Sequence, residues 1–231
     1  IGTNNSPDNV RQILLEPPPA GESPASTPGK QRYYNKADLI LITTDTNWTA
    51  TFNAHGDGTD FTSKSPKTDL WTGTNYTFLT TNAFWDYREI KTVLSVDIDV
   101  ARFISWTTTN NPLGRPLKSI YVNDQRSVPG QLTAVRVTNG RTLPDDGLTV
   151  ATPRPLYVKG DFNESDPKPA SLVGDSITIL SANWNDSWTS STPLGSRHAV
   201  NTTVNTTVTA AILAGIVPTT NSGGINHYSG G

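Results

Sequence analysis

The sequence contains no cysteine and no methionine. Without cysteine the chain forms no disulfide, carries no thiolate nucleophile and holds no cysteine-ligated zinc, so packing and backbone hydrogen bonds must stabilise the fold. Because methionine is missing even at Ile1, we expect the 231-residue chain to be a processed or trimmed part of a longer protein.

Charge and histidine are also scarce. Charged residues make up 16% of the chain and the formal net charge is −2, so no concentrated basic surface favours a nucleic-acid partner. The three histidines, His55, His198 and His227, lie far apart, and none has a second histidine at metal-ligand spacing. No G-x-S-x-G elbow is present to position a nucleophile. We therefore predict no catalytic residue, no metal site and no cofactor, and hence a protein that is not an enzyme.

Long apolar runs are absent as well. The best candidate, Val208 to Val217, is shorter than the roughly 20 residues that span a bilayer, and Gly215 and Pro218 interrupt or end it. The sequence therefore predicts no membrane span in this fragment.

Turn-forming residues are plentiful, with 18 glycines and 17 prolines. Together with frequent Thr, Asn and Ser they indicate short strands joined by many turns. Strands are predicted at Ala37 to Thr43, at Trp48 to Phe52 and at Thr92 to Val100, and Asp99 can cap a short helix that follows the last of these. Beyond residue 115, apolar residues recur in short pairs: Ile120/Val122, Val135/Val137, Leu148/Val150, Leu156/Val158 and Ile177/Ile179.

This series of short strands predicts an all-β fold with little helix. We interpret residues 115–231 as a β-solenoid, similar to a parallel β-helix, that follows a β-rich region with a short helix at residues 32–114. The apolar pairs from Val135/Val137 to Ile177/Ile179 should then lie together in one core. Asn139-Gly140 is a strong signal for a type I′ hairpin, so a β-sandwich is the structural alternative.

Residues 1–31 are rich in proline and predict an extended arm. The arm carries the apolar cluster Ile13, Leu14 and Leu15, which must dock on the body of the chain or on a neighbouring subunit to leave water. We predict that these three residues make assembly contacts in a head-to-tail arrangement.

Two further groups of residues suggest binding or chemistry. Trp184 and Trp188 flank Asn185-Asp186-Ser187 in a loop and are candidate glycan-binding platforms, although large aromatics in β-rich proteins more often serve packing. Asp97 and Asp99 share a strand face, where solvent exposure or pairing with Arg88 and Lys91 explains them more simply than glycoside hydrolysis does.

Several ordered motifs carry a resemblance to a known family. The chain resembles the surface-exposed regions of bacterial PilX-like, pilus-assembly-associated proteins over residues 33–220, in motifs at 84–91, 96–100, 147–152, 155–163, 168–173 and 176–181. The resemblance implies an extracellular or cell-surface location and supplies no catalytic residues.

We therefore predict a non-catalytic structural or adhesive surface protein, pilus-associated or filament-forming. Its expected partners are further copies of itself, other surface or pilus subunits, and glycans. The alternative is a carbohydrate-binding module or a β-helical carbohydrate-active enzyme.

Overall fold

The computed structural model describes residues 13–53, 67–70, 76–110, 112–201, 204–214, 220–222 and 225–227. Two open β-sheets dominate it, and helices are few. The helices are α1 (Tyr33–Lys36), α2 (Val100–Asn110) and α3 (Leu194–Asn201), with a 3₁₀ turn at Gly29–Gln31. The strands are β1 (Leu39–Thr43), β2 (Trp48–Phe52), β3 (Lys67–Leu70), β4 (Leu79–Asp86), β5 (Lys91–Asp99), β6 (Ser119–Asp124), β7 (Leu132–Gly140), β8 (Leu148–Ala151), β9 (Leu156–Phe162), β10 (Ala170–Val173), β11 (Ile177–Leu180), β12 (Ala211–Leu213), β13 (Thr220–Ser222) and β14 (Ile225–His227).

Most neighbouring strands run parallel. The larger sheet has the order β12-β10-β8-β6-β1-β2-β3 and the smaller sheet the order β11-β9-β7-β5-β4, while β13 and β14 pair separately. Within the two large sheets, only the β1–β2, β2–β3 and β4–β5 pairs are antiparallel. From β5 to β12, successive strands alternate between the two sheets.

The predicted fold class is wrong. The chain is mixed α/β, with two mostly parallel sheets, and neither a solenoid nor a closed sheet is found among the described residues. The strands before residue 115 belong to the same sheets as those after it, since β1 pairs with β6 and β5 with β7. The β-sandwich alternative fails too, because sandwiches are built from antiparallel sheets.

The inward faces of both sheets share one core. Val96, Val135 and Leu156 lie side by side in the smaller sheet, and Ile120, Val150 and Leu172 do so in the larger sheet. All six are fully buried in the same apolar cluster. Strand residues repeat with period two, so each strand contributes alternate side chains to this core.

The structure confirms most of the predicted buried residues. The members of this set that are buried in the common core are Val135, Val137, Leu148, Val150, Leu156 and Val158. Ile177 packs against the same cluster and is only partly buried. Ile179 is the exception, because 49% of it is exposed.

Aromatic rings close the core at the end formed by β2 and β4. Phe103 and Trp106 of α2 contact Phe78 at ring-centroid distances of 5.1 and 5.2 Å, and Trp106 also stacks on Phe52 of β2. The predicted cap of this helix is confirmed, since Asp99 accepts a 3.0 Å hydrogen bond from the backbone N–H of Arg102. Helix α2 therefore covers one end of the core.

Asn139-Gly140 does not form the predicted hairpin. Both residues end β7, which pairs in parallel with β9 and shifts its register between Thr138 and Gly140. Asn139 has a φ of 52°, a left-handed conformation that asparagine tolerates. It lies at the position where the register of the strand shifts, and not in a turn between two strands.

Residues 1–12 of the predicted arm lie outside the described residues, and its described part, residues 13–31, docks on the chain's own body. Leu15 is fully buried on the outer face of the larger sheet, in a cluster with Ile40 and Tyr121. The Tyr121 hydroxyl donates a hydrogen bond to the Leu15 carbonyl. The chain therefore buries this part of its proline-rich arm without a neighbouring subunit.

Candidate functional site

Two surfaces of the described residues stand out. The first, which we call the open end, is the end of the core bordered by the edge strands β11 and β12. Ile179 lies beside buried Val158 and Ile212 beside buried Leu172, so both isoleucines continue inward-facing rows of the core. Yet 49% of Ile179 and 52% of Ile212 are exposed. Both isoleucines lie on edge strands, so within the described residues neither has a further strand of its sheet beside it.

The second surface, which we call the polar cleft, lies on the outer face of the smaller sheet. Its volume is about 420 Å³. Strands β7 and β9 form its floor, and residues 182 and 186 of the loop after β11 line one side. The polar side chains that line it include Asn82, Arg136, Arg141, Lys159, Asp161 and Asp186.

Arg136 organises the floor of the polar cleft. Its guanidinium bonds to Asp97 through Nε (3.1 Å) and Nη2 (2.5 Å), and to Asp186 through Nη1 (2.7 Å) and Nη2 (3.0 Å). It also lies 4.8 Å from the centre of the Phe84 ring. Only 2% of the side chain is exposed. The two carboxylates therefore hold a buried cation in one fixed orientation.

These contacts shift the pKa values of Asp186 and Arg136. Burial acts to raise the pKa of Asp186, but the hydrogen bonds and charge of Arg136, together with Lys159, outweigh it and leave this pKa below 3.8. Burial also acts to lower the pKa of Arg136, and the two carboxylates overcome it and raise that pKa. Arg136 and Asp186 are therefore both ionised at neutral pH.

Acid is expected to release the loop that carries Asp186. A carboxylate whose pKa is lower in the folded state stabilises the fold fully above its unfolded pKa of about 3.9, and this contribution is lost as the pH falls through the folded pKa. Urea unfolding of the wild type and of Asp186→Asn at pH 7 and pH 3 measures the effect. We expect the wild type to lose more stability between these pH values than the variant, and equal losses would contradict the assignment.

A second polar contact lies on the same face. The Tyr157 hydroxyl donates a 2.6 Å hydrogen bond to Asp86, and burial, followed by this bond, raises the pKa of Tyr157. Asp86 also accepts hydrogen bonds from the backbone N–H groups of Arg88 and Glu89. This group fixes the turn after β4 and does not line the polar cleft.

The predicted glycan platforms lie next to the polar cleft. Trp184 and Trp188 are partly buried and meet edge to face at 5.2 Å, and Trp184 packs on the Phe84 ring that Arg136 also contacts. The Tyr87 hydroxyl donates a 2.7 Å hydrogen bond to the Thr189 carbonyl and so ties down the same loop. The rings brace the loop, and glycan contacts from Trp184 and Trp188 stay a prediction.

The three predicted assembly residues differ in how deeply they are buried. Leu15 is enclosed, whereas Leu14 and Ile13 are partly buried. Leu14 packs against the same cluster as Leu15. Leu15 therefore offers no surface to a neighbour while the arm is docked, and assembly contacts from Ile13 and Leu14 stay a prediction.

Asp97 and Asp99 have other partners than those predicted. Asp97 pairs with Arg136, and Asp99 caps α2 and accepts a 2.8 Å hydrogen bond from Asn139. Arg88 instead donates to Thr178. Sequence reasoning missed Arg136 as a site residue, although its place as the single charged residue in the buried run of β7 was a usable signal.

Among the described residues, no group of three or more His, Asp or Glu side chains could hold a metal ion, and no helix is long and apolar enough to cross a membrane. His55 lies outside the described residues, as does the side chain of His227.

Comparison of the chain with protein-family models, with curated proteins and with solved structures gave no match. The proposals below therefore depend on the geometry of this chain and on the motifs in its sequence.

Proposed function

We propose that the chain is a non-catalytic structural protein of the cell surface that assembles with a second copy of itself through the open end. The observation that carries this proposal is the exposure of Ile179 and Ile212, which continue buried rows of the core into solvent. Apolar residues that are exposed at the end of a core form a surface that a second chain can bury.

The strand edges at this end add a second reason. β11 and β12 are the last strands of their sheets, so each presents one row of backbone N–H and C=O groups for pairing. Strand addition satisfies such groups through main-chain hydrogen bonds. Burying the exposed halves of four isoleucines in a symmetric pair contributes on the order of 4 kcal/mol, to which the strand pairing adds.

The other end of the molecule favours pairing between two open ends. Helix α2 and the rings of Phe78, Phe103 and Trp106 close the core there. The edge strand β4 exposes Thr80, Thr81 and Asn82, which are polar. An apolar open end finds its best match in the same surface of another copy, in the manner of a two-fold symmetric interface.

The location at the cell surface is the part of the proposal that depends on the sequence motifs. The resemblance to PilX-like, pilus-associated surface proteins supports it. A role as a pilus-associated subunit follows from the same resemblance and needs a second contact surface if the pair is to grow into a filament.

The experiment compares the mass of the wild type with that of an Ile179→Lys/Ile212→Lys variant by light scattering. Both side chains are half exposed, so the charges block the open end without entering the closed core. We expect a mass above the 24.9 kDa of one chain for the wild type and 24.9 kDa for the variant.

Leu194→Lys is the matched control, because Leu194 is 68% exposed but lies on α3 outside the open end. It should assemble like the wild type. A wild type that stays monomeric up to about 1 mM, or a double variant that still assembles, would contradict the proposal.

A further inference from the structure

We propose that the polar cleft binds an uncharged saccharide. The polar cleft lies on the outer face of the smaller sheet, whereas the open end lies at the strands β11 and β12. The inference is therefore independent of the assembly proposed above, and either can fail without the other.

The dimensions of the polar cleft suit a small ligand. Its volume of about 420 Å³ falls within the range of small-molecule sites in proteins. Gly160 lines it with a φ of 78° and no side chain, and a Cβ built there would lie 3.6 Å from Ala182. The positive φ therefore favours glycine here, whereas 3.6 Å is an ordinary contact distance that a small side chain could occupy.

The charges of the polar cleft are balanced. Arg136 is paired with Asp97 and Asp186, and Arg141 is paired with Glu164 at 2.8 Å. The remaining charged residues of the lining are Lys159 and Asp161. Counting the paired carboxylates of Asp97 and Glu164, which lie outside the lining, three cations face four carboxylates. No surplus of positive charge is left to recognise phosphate or sulfate, so an uncharged ligand fits the electrostatics best.

The free hydrogen-bonding capacity consists of both donors and acceptors. The Lys159 ammonium can donate three hydrogen bonds and makes one long contact of 3.5 Å to Asp186. One oxygen of Asp161 accepts from the Thr207 backbone, and its other oxygen accepts no hydrogen bond within the described residues. A saccharide hydroxyl both donates and accepts, so this mixture matches a polyhydroxylated ligand.

The floor of the polar cleft is rigid before any ligand arrives. Four hydrogen bonds and the Phe84 ring fix Arg136, and Asn82 holds Asp186 through a 3.0 Å hydrogen bond. Preorganised groups lose little conformational entropy on binding, which favours recognition of a flexible, hydrated ligand.

The test is isothermal titration of the full chain with maltotriose, cellotriose and tri-N-acetylchitotriose, all uncharged, and with inorganic phosphate. The variant is Lys159→Met, which removes the ammonium and keeps an apolar side chain of similar length. The matched control is Lys168→Met, since the exposed fractions of Lys159 and Lys168 are 25% and 23% and Lys168 pairs with Asp145 and Asp166 outside the lining.

We expect at least one trisaccharide to bind, with affinity about tenfold lower in Lys159→Met and changed by less than about twofold in Lys168→Met. The proposal is overturned if no trisaccharide binds at about 10 mM, if only phosphate binds, or if binding is the same in both variants.

Discussion

Replacing Val158 by aspartate is expected to abolish folding at room temperature. Val158 is 1% exposed and lies between Val137 and Ile179 in the inward face of the smaller sheet. A buried unpaired carboxylate costs several kcal/mol, which is a large part of the 5 to 15 kcal/mol that stabilises a typical domain. Circular dichroism and urea unfolding measure the loss.

Ile179→Asp is the matched control for this change. Ile179 neighbours Val158 in the pairing of β9 with β11, but half of its surface reaches solvent, so its carboxylate can stay hydrated. We expect it to destabilise the monomer by less than about 2 kcal/mol, measured at dilute protein. If the two variants lost similar amounts of stability, Ile179 would be as buried as Val158, and the core would not be open at β11.

The second large effect is expected at Arg136. Arg136→Met removes the cation between Asp97 and Asp186, whose side chains are 8% and 23% exposed, and leaves two carboxylates facing each other. Breaking a buried ion pair from one side costs about 3 to 5 kcal/mol, and we expect a loss of this size in the free energy of unfolding. Arg141→Ala removes an exposed pair that solvent and salt screen, so it should leave the free energy of unfolding nearly unchanged.

A double variant separates charge from packing at this position. Arg136→Met leaves Asp97 and Asp186 without their cation. Adding Asp97→Asn removes one of these two carboxylates, while the methionine side chain can still contact Phe84. We expect the double variant to recover more than about 1 kcal/mol of the stability that Arg136→Met loses, since the effects of substitutions at interacting residues do not add. No recovery would mean that the shape of the Arg136 side chain matters and its charge does not.

Several strand positions could be predicted from the sequence, because they depend on local patterns, although the strand at Leu79–Asp86 was not predicted. Alternation at Val96 and Ile98 and the short pair Val135/Val137 require only that one side of each strand be apolar. The same patterns carry no information on which strands are neighbours. β1 pairs with β6 across about 80 residues, so the two halves of the chain merge in one pair of sheets and the predicted division near residue 115 does not separate them.

The sites were harder to predict, for a related reason. The polar cleft depends on Asp186, which meets Arg136 across a separation of 50 residues and carries no local signal. The loop-like sequence around Trp184 and Trp188 predicts exposed platforms, but their rings are partly buried and pack edge to face on neighbouring rings. Ile179 was predicted to be buried, and its exposure depends on where the sheet ends.

The most direct test of assembly through the open end is amide hydrogen exchange at increasing protein concentration. If two open ends pair, exchange in Ile177–Leu180 and Ala211–Leu213 must slow as the concentration rises, whereas exchange in β7 stays constant. Exchange in these two strands that does not change with concentration would contradict the account.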